Sequence, residues 1–155
     1  MIFFVRGSVI VPVDWAGLSD RREVEKLIAE YHASESLTPI RERISWAVDQ
    51  QLSGESPGLL LVAREKEMMV GLALAVYTPS AELGRVITVN DFFVRPAYRR
   101  KGVGRALAKR LIEKCRSLKV DEIGLEVLSP NKTAASFWKS VGFSPSDRFL
   151  FRLKL

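Results

Sequence analysis

The segment RPAYRRKGVGRAL, residues 95–107, decides the fold, because the hydrophobic period changes across it. Upstream, Arg85 to Val94 is a β-branched and aromatic run of strand length that stops at Pro96, a residue that cannot donate to a sheet ladder. Downstream, Val103, Leu107, Leu111, Cys115 and Leu118 recur every three or four residues, the spacing of one buried helix face. Ile123 to Leu128 then reads as another strand. Strand, glycine turn, helix and strand in this order predict a right-handed parallel crossover, and the sheet that contains it needs cover on both faces.

Working outward, Ile2 to Val11 reads as a first strand. A helix starts near Asp20, with Glu23 three residues on and Val24, Leu27, Ile28 and Tyr31 on one face. A second helix is signalled by Thr38 as N-cap and Pro39 at its first position, with the stripe Ile40, Ile44, Ala47 and Val48, and it closes at Ser53 and Gly54. Leu59 to Ala63 and Met69 to Tyr77, joined by the polar turn Arg64 to Glu67, form an antiparallel hairpin. Asn131 to Val141 reads as a helix closed by Gly142, and Arg148 to Leu153 as a last strand. The expected fold is α/β, a mixed central sheet of about six or seven strands with helices on both faces in the order βααβββαβαβ.

The 155 residues suit a single domain, 1–155, and 47% hydrophobic with 27% charged residues is a globular balance. The longest uncharged stretch, Met68 to Ala81, is 14 residues, short of the roughly 18 that suggest a membrane span. No membrane is expected as a partner, and with no signal-peptide pattern at the start a cytoplasmic location is expected. Cys115 is the single cysteine and His32 the single histidine, so neither an intrachain disulfide nor a common zinc site is expected. The net charge of +6 is not spread evenly. Between Arg95 and Lys119 ten basic residues face one acid, Glu113, while the rest of the chain carries a slight excess of acid. An anion is expected at that segment; a solvated basic helix face is the plainer alternative.

Gly102 and Gly104 lie between a strand end and a helix start. Glycine tolerates positive φ and close approach of a ligand, and the first amides of a helix lack internal partners and carry the positive end of its dipole. With Arg99, Arg100, Lys101 and Arg105 around them, a pyrophosphate suits the site. The Walker loop and the dinucleotide fingerprint both fail, the first for want of GxxxxGK with Ser or Thr, the second because Leu107 stands where a third glycine is needed.

DFFVRPAYRRKGVGRAL followed by NKTAASFWKSVGF resembles the GNAT superfamily of N-acetyltransferases in two motifs, over roughly Arg85 to Phe143. The resemblance implies acetyl-CoA as co-substrate. Arg99, Gly102 and Gly104 match the family loop whose amides hold the pyrophosphate, which brings Arg100, Lys101, Val103 and Arg105 into the same site. Phe92 and Val94, with Phe93 between them, match the strand positions that contact the acetyl carbonyl and the pantetheine arm. Asn131, Ala134, Phe137, Trp138, Gly142 and Phe143 match the second motif, in which Asn binds the cofactor arm. DFFV also looks like the polyamine acetyltransferases.

The implied reaction is direct attack of an amine on a thioester. At pH 7 only about one alkylamine in a few thousand is neutral, so a base helps. In polyamine-type relatives the carboxylate aligns with Asn90, and an amide takes no proton. Asp91 is adjacent, on the opposite face of a regular strand, and reaches the Asn90 side only where a bulge intervenes. The usual acid, a Tyr, aligns with Trp138, for which a tunnel wall or core packing is the expected role; Tyr77 and Tyr98 are candidate substitutes. His32, beside Glu30, Ser34 and Glu35, falls where relatives build the acceptor pocket, though a lone His is ordinarily a surface or capping residue. Trp46 reads as core, acceptor cleft or dimer contact, and Cys115 as core.

The expected function is therefore acetyl transfer to a primary amine of a small molecule or protein in a ternary complex. An acyl-CoA-binding sensor or pseudoenzyme is the alternative, and nucleic-acid binding ranks last. The acceptor itself carries no motif, and a homodimer is expected because dimers are common in similar proteins and are the commonest symmetric assembly.

Overall fold

The computed structural model describes residues 11–155. Along it run β1 (Val13–Trp15), α1 (Arg21–Ser34), α2 (Arg41–Ser53), β2 (Gly58–Glu65), β3 (Met68–Ser80), β4 (Gly84–Val94), α3 (Val103–Ser117), β5 (Glu122–Leu125) and α4 (Lys132–Ser140). Single 3-10 turns precede α1, at Leu18–Asp20, and follow β4, at Pro96–Tyr98. The sheet has the order β1-β2-β3-β4-β5 and is antiparallel except for the parallel pair β4 and β5.

Two apolar layers enclose this sheet. Val24, Leu27 and Ile28 of α1 and Ile44 and Val48 of α2 pack on Leu60, Val62, Met69, Leu72, Leu74 and Phe93. On the other face Val103, Leu107, Leu111 and Cys115 of α3 pack on Leu61, Ala63, Val70, Ala73, Ala75, Ile87, Val89 and Val94. Small residues on the α3 side let the helix lie close. A Cβ on Gly71 would stand 3.0 Å from the Phe93 carbonyl oxygen and 3.1 Å from Leu107 Cδ1.

Two register shifts decide which side chains reach which face. Ala63 pairs with Gly71 and Arg64 with Met69, leaving Val70 as an extra residue in β3. Leu74 pairs with Asp91 and Ala75 with Val89, leaving Asn90 as an extra residue in β4. Because strand side chains alternate, each bulge moves the residues beyond it to the opposite face. In β4, Ile87 and Val89 face α3; past Asn90 it is Phe92 and Val94 that do so, and Phe93 turns to α1.

Several expectations are corrected. The described sheet has five strands, not six or seven. The expected strand Ile2 to Val11 lies outside the described residues except for Val11, and β1 forms just after it. Arg148 to Leu153 forms no strand among the described residues, and its side chains reach the body through Arg148 with Glu82 and Arg152 with Glu126. The second helix begins at Arg41, with Ile40 rather than Thr38 in the capping position. Asp20 precedes α1 as expected, but its carboxylate accepts from the Gly17 amide and pairs with Arg64, while Glu23 accepts from the Met69 amide; both acids tie the helix to the hairpin instead of capping it. Leu118 caps the exposed end of α3 rather than joining the core, and Trp46 is 67% exposed. No described helix is long and apolar enough to cross a membrane.

Leu107 is fully buried where α3 crosses β3. Leu107→Ala is expected to cost about 2–5 kcal/mol of stability, the usual range for a core leucine, read as a lower urea midpoint with an unchanged slope.

Candidate active site

The parallel pairing of β4 with β5 ends at Val89 and Leu125, yet β4 runs on to Val94. From Asn90 to Val94 one edge of β4 is therefore held by β3 and the other faces no strand among the described residues. A gap opens in the sheet at this point, and its two ends carry different chemistry.

At the Val94 end the chain passes through Pro96–Tyr98 and enters α3. Arg100, at φ 60°, and Gly102, at φ 88°, both hold the left-handed conformation, which curls the backbone so that α3 begins at Val103 with no side chain capping it. A Cβ on Gly102 would meet nothing within 4 Å, so the glycine is required by its φ and not by crowding. Gly104 faces the Phe137 ring at 3.5 Å, an ordinary contact distance for a Cβ, which an alanine would also satisfy. The amides opening α3 are thus left open to an anion, in the favourable field of the helix. Val103 offers only its amide, since its side chain is buried.

The basic residues around this cradle are partly committed. Arg99 Nε donates to the Val94 carbonyl at 2.8 Å while its guanidinium lies 5.5 Å from the Phe93 ring, bracing the end of β4. Lys101 stands over the Tyr98 ring, and Arg105 donates to Ser140 Oγ of α4 at 3.2 Å. Arg100 is exposed. Charge remains available in all four, since each has donors left over.

The aromatic residues of the second motif form a wall. Trp138 packs edge-on against Phe92 at 4.7 Å, Phe137 at 5.0 Å and Phe143 at 5.0 Å between ring centroids, and is 7% exposed. Asn131 caps α4, its Oδ1 accepting from the Ala134 amide at 3.0 Å, and its Nδ2 donates to both carboxylate oxygens of Glu35 at 3.2 Å. This one side chain joins the end of α1 to the start of α4.

On the α1 side of the gap the bulge brings Asp91 to His32, whose Nε2 lies 3.2 Å from Asp91 Oδ1. Both are largely shielded, at 25% and 18% side-chain exposure. Tyr31 packs on His32 and Phe93, and its hydroxyl is held protonated beyond the usual tyrosine range, chiefly by burial and then by the nearby Asp91 and Glu35 carboxylates. The Glu30 carboxylate accepts from Arg95 Nε and Nη2, each at 2.9 Å, clamping α1 to the end of β4. The structure therefore assembles His32, Asp91, Glu35 and Asn131 around the gap, while Asn90 turns away into an exposed cleft of about 260 Å³ shared with Thr88, Val89, Glu126 and Arg152. Glu126 and Arg152 escape sequence reasoning, since a lone acid after a strand and a lone base in an apolar tail carry no signal.

Tyr77 does not join the cluster. It lines a larger and mainly apolar cavity of about 400 Å³ with Pro57, Gly58, Leu59, Arg85, Ile87 and Leu118, towards the other end of β4. Tyr98 lies in the turn beneath Lys101.

Comparison with known proteins bears on the family and the fold. The profile of the Acetyltransferase (GNAT) family matches residues 22–143. The thialysine N-epsilon-acetyltransferase of Sus scrofa is 34% identical over 74 residues, 48% of this chain and 44% of that protein. The chain thus spans about half the length of the curated relatives it matches. An integron cassette protein from the mobile metagenome of Cole Harbour Salt Marsh superposes with a TM-score of 0.81 at 25% identity, covering 92% of this chain and 90% of that one. A predicted acetyltransferase from Clostridium acetobutylicum, solved with acetyl-CoA, has the same fold, with a TM-score of 0.78 at 16% identity over 93% and 96% of the two chains.

Asn131→Ala is expected to cost about 1 kcal/mol through loss of the cap. Asn131→Asp keeps the cap but sets a carboxylate against Glu35, so it is expected to be less stable than the parent at pH 7 and to recover as the pH falls below about 4. Thermal melts of the three proteins at both pH values check this.

Proposed function

Because the chain belongs to the GNAT acetyltransferase family, we propose that it transfers the acetyl group of acetyl-CoA to a primary amine of a small molecule or a protein, by direct attack in a ternary complex. The observation that carries this reading is the junction at one end of β4, where uncapped helix amides stand at one side of the sheet gap and Asp91 at the other. An amine acceptor also agrees with the relatives named thialysine N-epsilon-acetyltransferase. A cytoplasmic location suits a chain whose one thiol is free and buried.

The residues fit the coenzyme in its parts. The amides of Val103, Gly104 and Arg105, with Arg99, Arg100 and Lys101 at the rim, bind its diphosphate. The open edge of Phe92, Phe93 and Val94 holds the pantetheine arm, and Asn131, Ala134, Phe137 and Trp138 flank it from α4. When bound, acetyl-CoA supplies an activated acyl group with a thiol leaving group of low enough pKa to depart as the anion. Asp91 Oδ1 accepts the proton of the incoming ammonium, and His32 orients that carboxylate. Asn90 holds no proton-accepting group and, turned away from Asp91 into the separate cleft with Glu126 and Arg152, takes no part in the proton transfer. Trp138 excludes water from the arm.

A second reading, an acyl-CoA-binding sensor without turnover, is favoured by two features: the amide of Asn90 where relatives carry a carboxylate, and the indole of Trp138 where they carry a phenol. Calorimetry with CoA and thiol release across a panel of amines separate the two. Binding with release is expected; binding without release selects the sensor, and absence of CoA binding removes both. In the active case Asp91→Asn is expected to lower kcat/KM by about 10² to 10⁴ with CoA affinity unchanged. Equal turnover of the variant at every pH would exclude Asp91 as the proton acceptor.

A further inference from the structure

We propose that the acceptor is a primary amine with one positive charge and an apolar body, the amine meeting Asp91 and the body lying on Leu37 and Ile40 at the turn between α1 and α2. This class rests on the transfer reading above and narrows its substrate.

The acids on the α1 side of the gap leave room for one cation. Glu30 is taken up by the Arg95 guanidinium. Glu35 accepts from Asn131 Nδ2 with both its oxygens at 3.2 Å, so an ammonium placed there competes with the contact that joins α1 to α4. Asp91 is met by His32 alone among the described side chains, through one oxygen, and its carboxylate is the one left for an ammonium. Tyr31, packed on His32 and Phe93, adds an aromatic surface beside the same carboxylate.

Beyond Glu35 the chain carries no charge until Arg41, reading SLTPI from Ser36 to Ile40. Ser36, at φ 57°, turns left-handed and ends α1, and the Leu37 amide donates back to the His32 carbonyl at 2.8 Å. Leu37 is thereby fixed on the turn directly past the residue that touches Asp91. Pro39 stiffens the next step, and Ile40 stands in the capping position of α2. Leu37 and Ile40 are 45% and 37% exposed, and neither serves the core, which α2 reaches through Ile44 and Val48. Large apolar side chains thus stand in water on a preformed turn next to a single unneutralised carboxylate. An apolar body covering them gains about fourfold in affinity for each methylene it takes out of water, whereas a second ammonium would lose hydration there without a partner.

The test compares phenethylamine and hexylamine with 1,6-diaminohexane and ethylamine at saturating acetyl-CoA. The first two are expected to exceed the others in kcat/KM by at least about tenfold. Leu37→Ser with Ile40→Ser changes exposed side chains, and serine is a favoured residue before a helix, so the double variant is expected to keep the parent's melting temperature. Its kcat/KM for phenethylamine is expected to fall at least about tenfold, chiefly through KM, with ethylamine turnover and CoA affinity within about twofold of the parent. A diamine that matches or outruns hexylamine overturns this acceptor class and leaves acetyl transfer standing, and so does a double variant indifferent towards phenethylamine. Binding of CoA with none of the four amines acetylated overturns it too; release of thiol with other amines of the wider panel then decides whether the transfer reading falls with it.

Discussion

One extra residue in β4 governs the site. An antiparallel pair keeps strict alternation, and a strand that reaches Asp91 from Ile87 and Val89 without interruption would send its carboxylate into the apolar layer under α3. Asn90 takes up the extra position, and Asp91 emerges instead beside His32 on the α1 face. The same shift places Phe92 against Trp138 and Phe93 under Tyr31. A carboxylate and an aromatic wall thus come to opposite faces of one short stretch of strand, each next to the gap left by β5.

The cradle at the start of α3 depends on a second constraint, how close the helix lies to the sheet. Gly71, Ala73 and Ala75 leave room for Leu107 and Leu111, which fixes the axis of α3 and hence the direction in which its first amides point. Arg99 then ties the loop to the last carbonyl of β4. Positive charge at the rim adds to the field of the helix, but the left-handed turn at Arg100 and Gly102 is what leaves those amides uncovered.

The two halves of the site are joined by few polar contacts, and each spans elements far apart in sequence. Arg95 with Glu30 holds α1 to the end of β4, and Asn131 with Glu35 holds α1 to α4. These contacts are only partly exposed, so they are screened less than surface pairs and favour one relative placement of α1, β4 and α4. The α1 side of the gap is acidic, with Asp91 and Glu35, and the cradle side basic, with Arg99, Arg100, Lys101 and Arg105.

Local pattern is enough for what depends on local physics. The period of Val103 to Cys115, the glycines before it, the hairpin at Arg64 to Glu67 and the helix that starts near Asn131 are all legible because backbone conformation and side-chain period act over a few residues. The resemblance of two motifs carries the family. The face on which Asp91 emerges is beyond the sequence alone, since a bulge is decided by which pairs form across β3 and β4. The same holds for the meeting of Asn131 with Glu35 and for the service of Asp20 and Glu23 to the hairpin, because those partners are brought together only by packing. The alternation in Arg148 to Leu153 is legible as strand-like, but a strand exists only with a neighbour, and no described strand pairs with it.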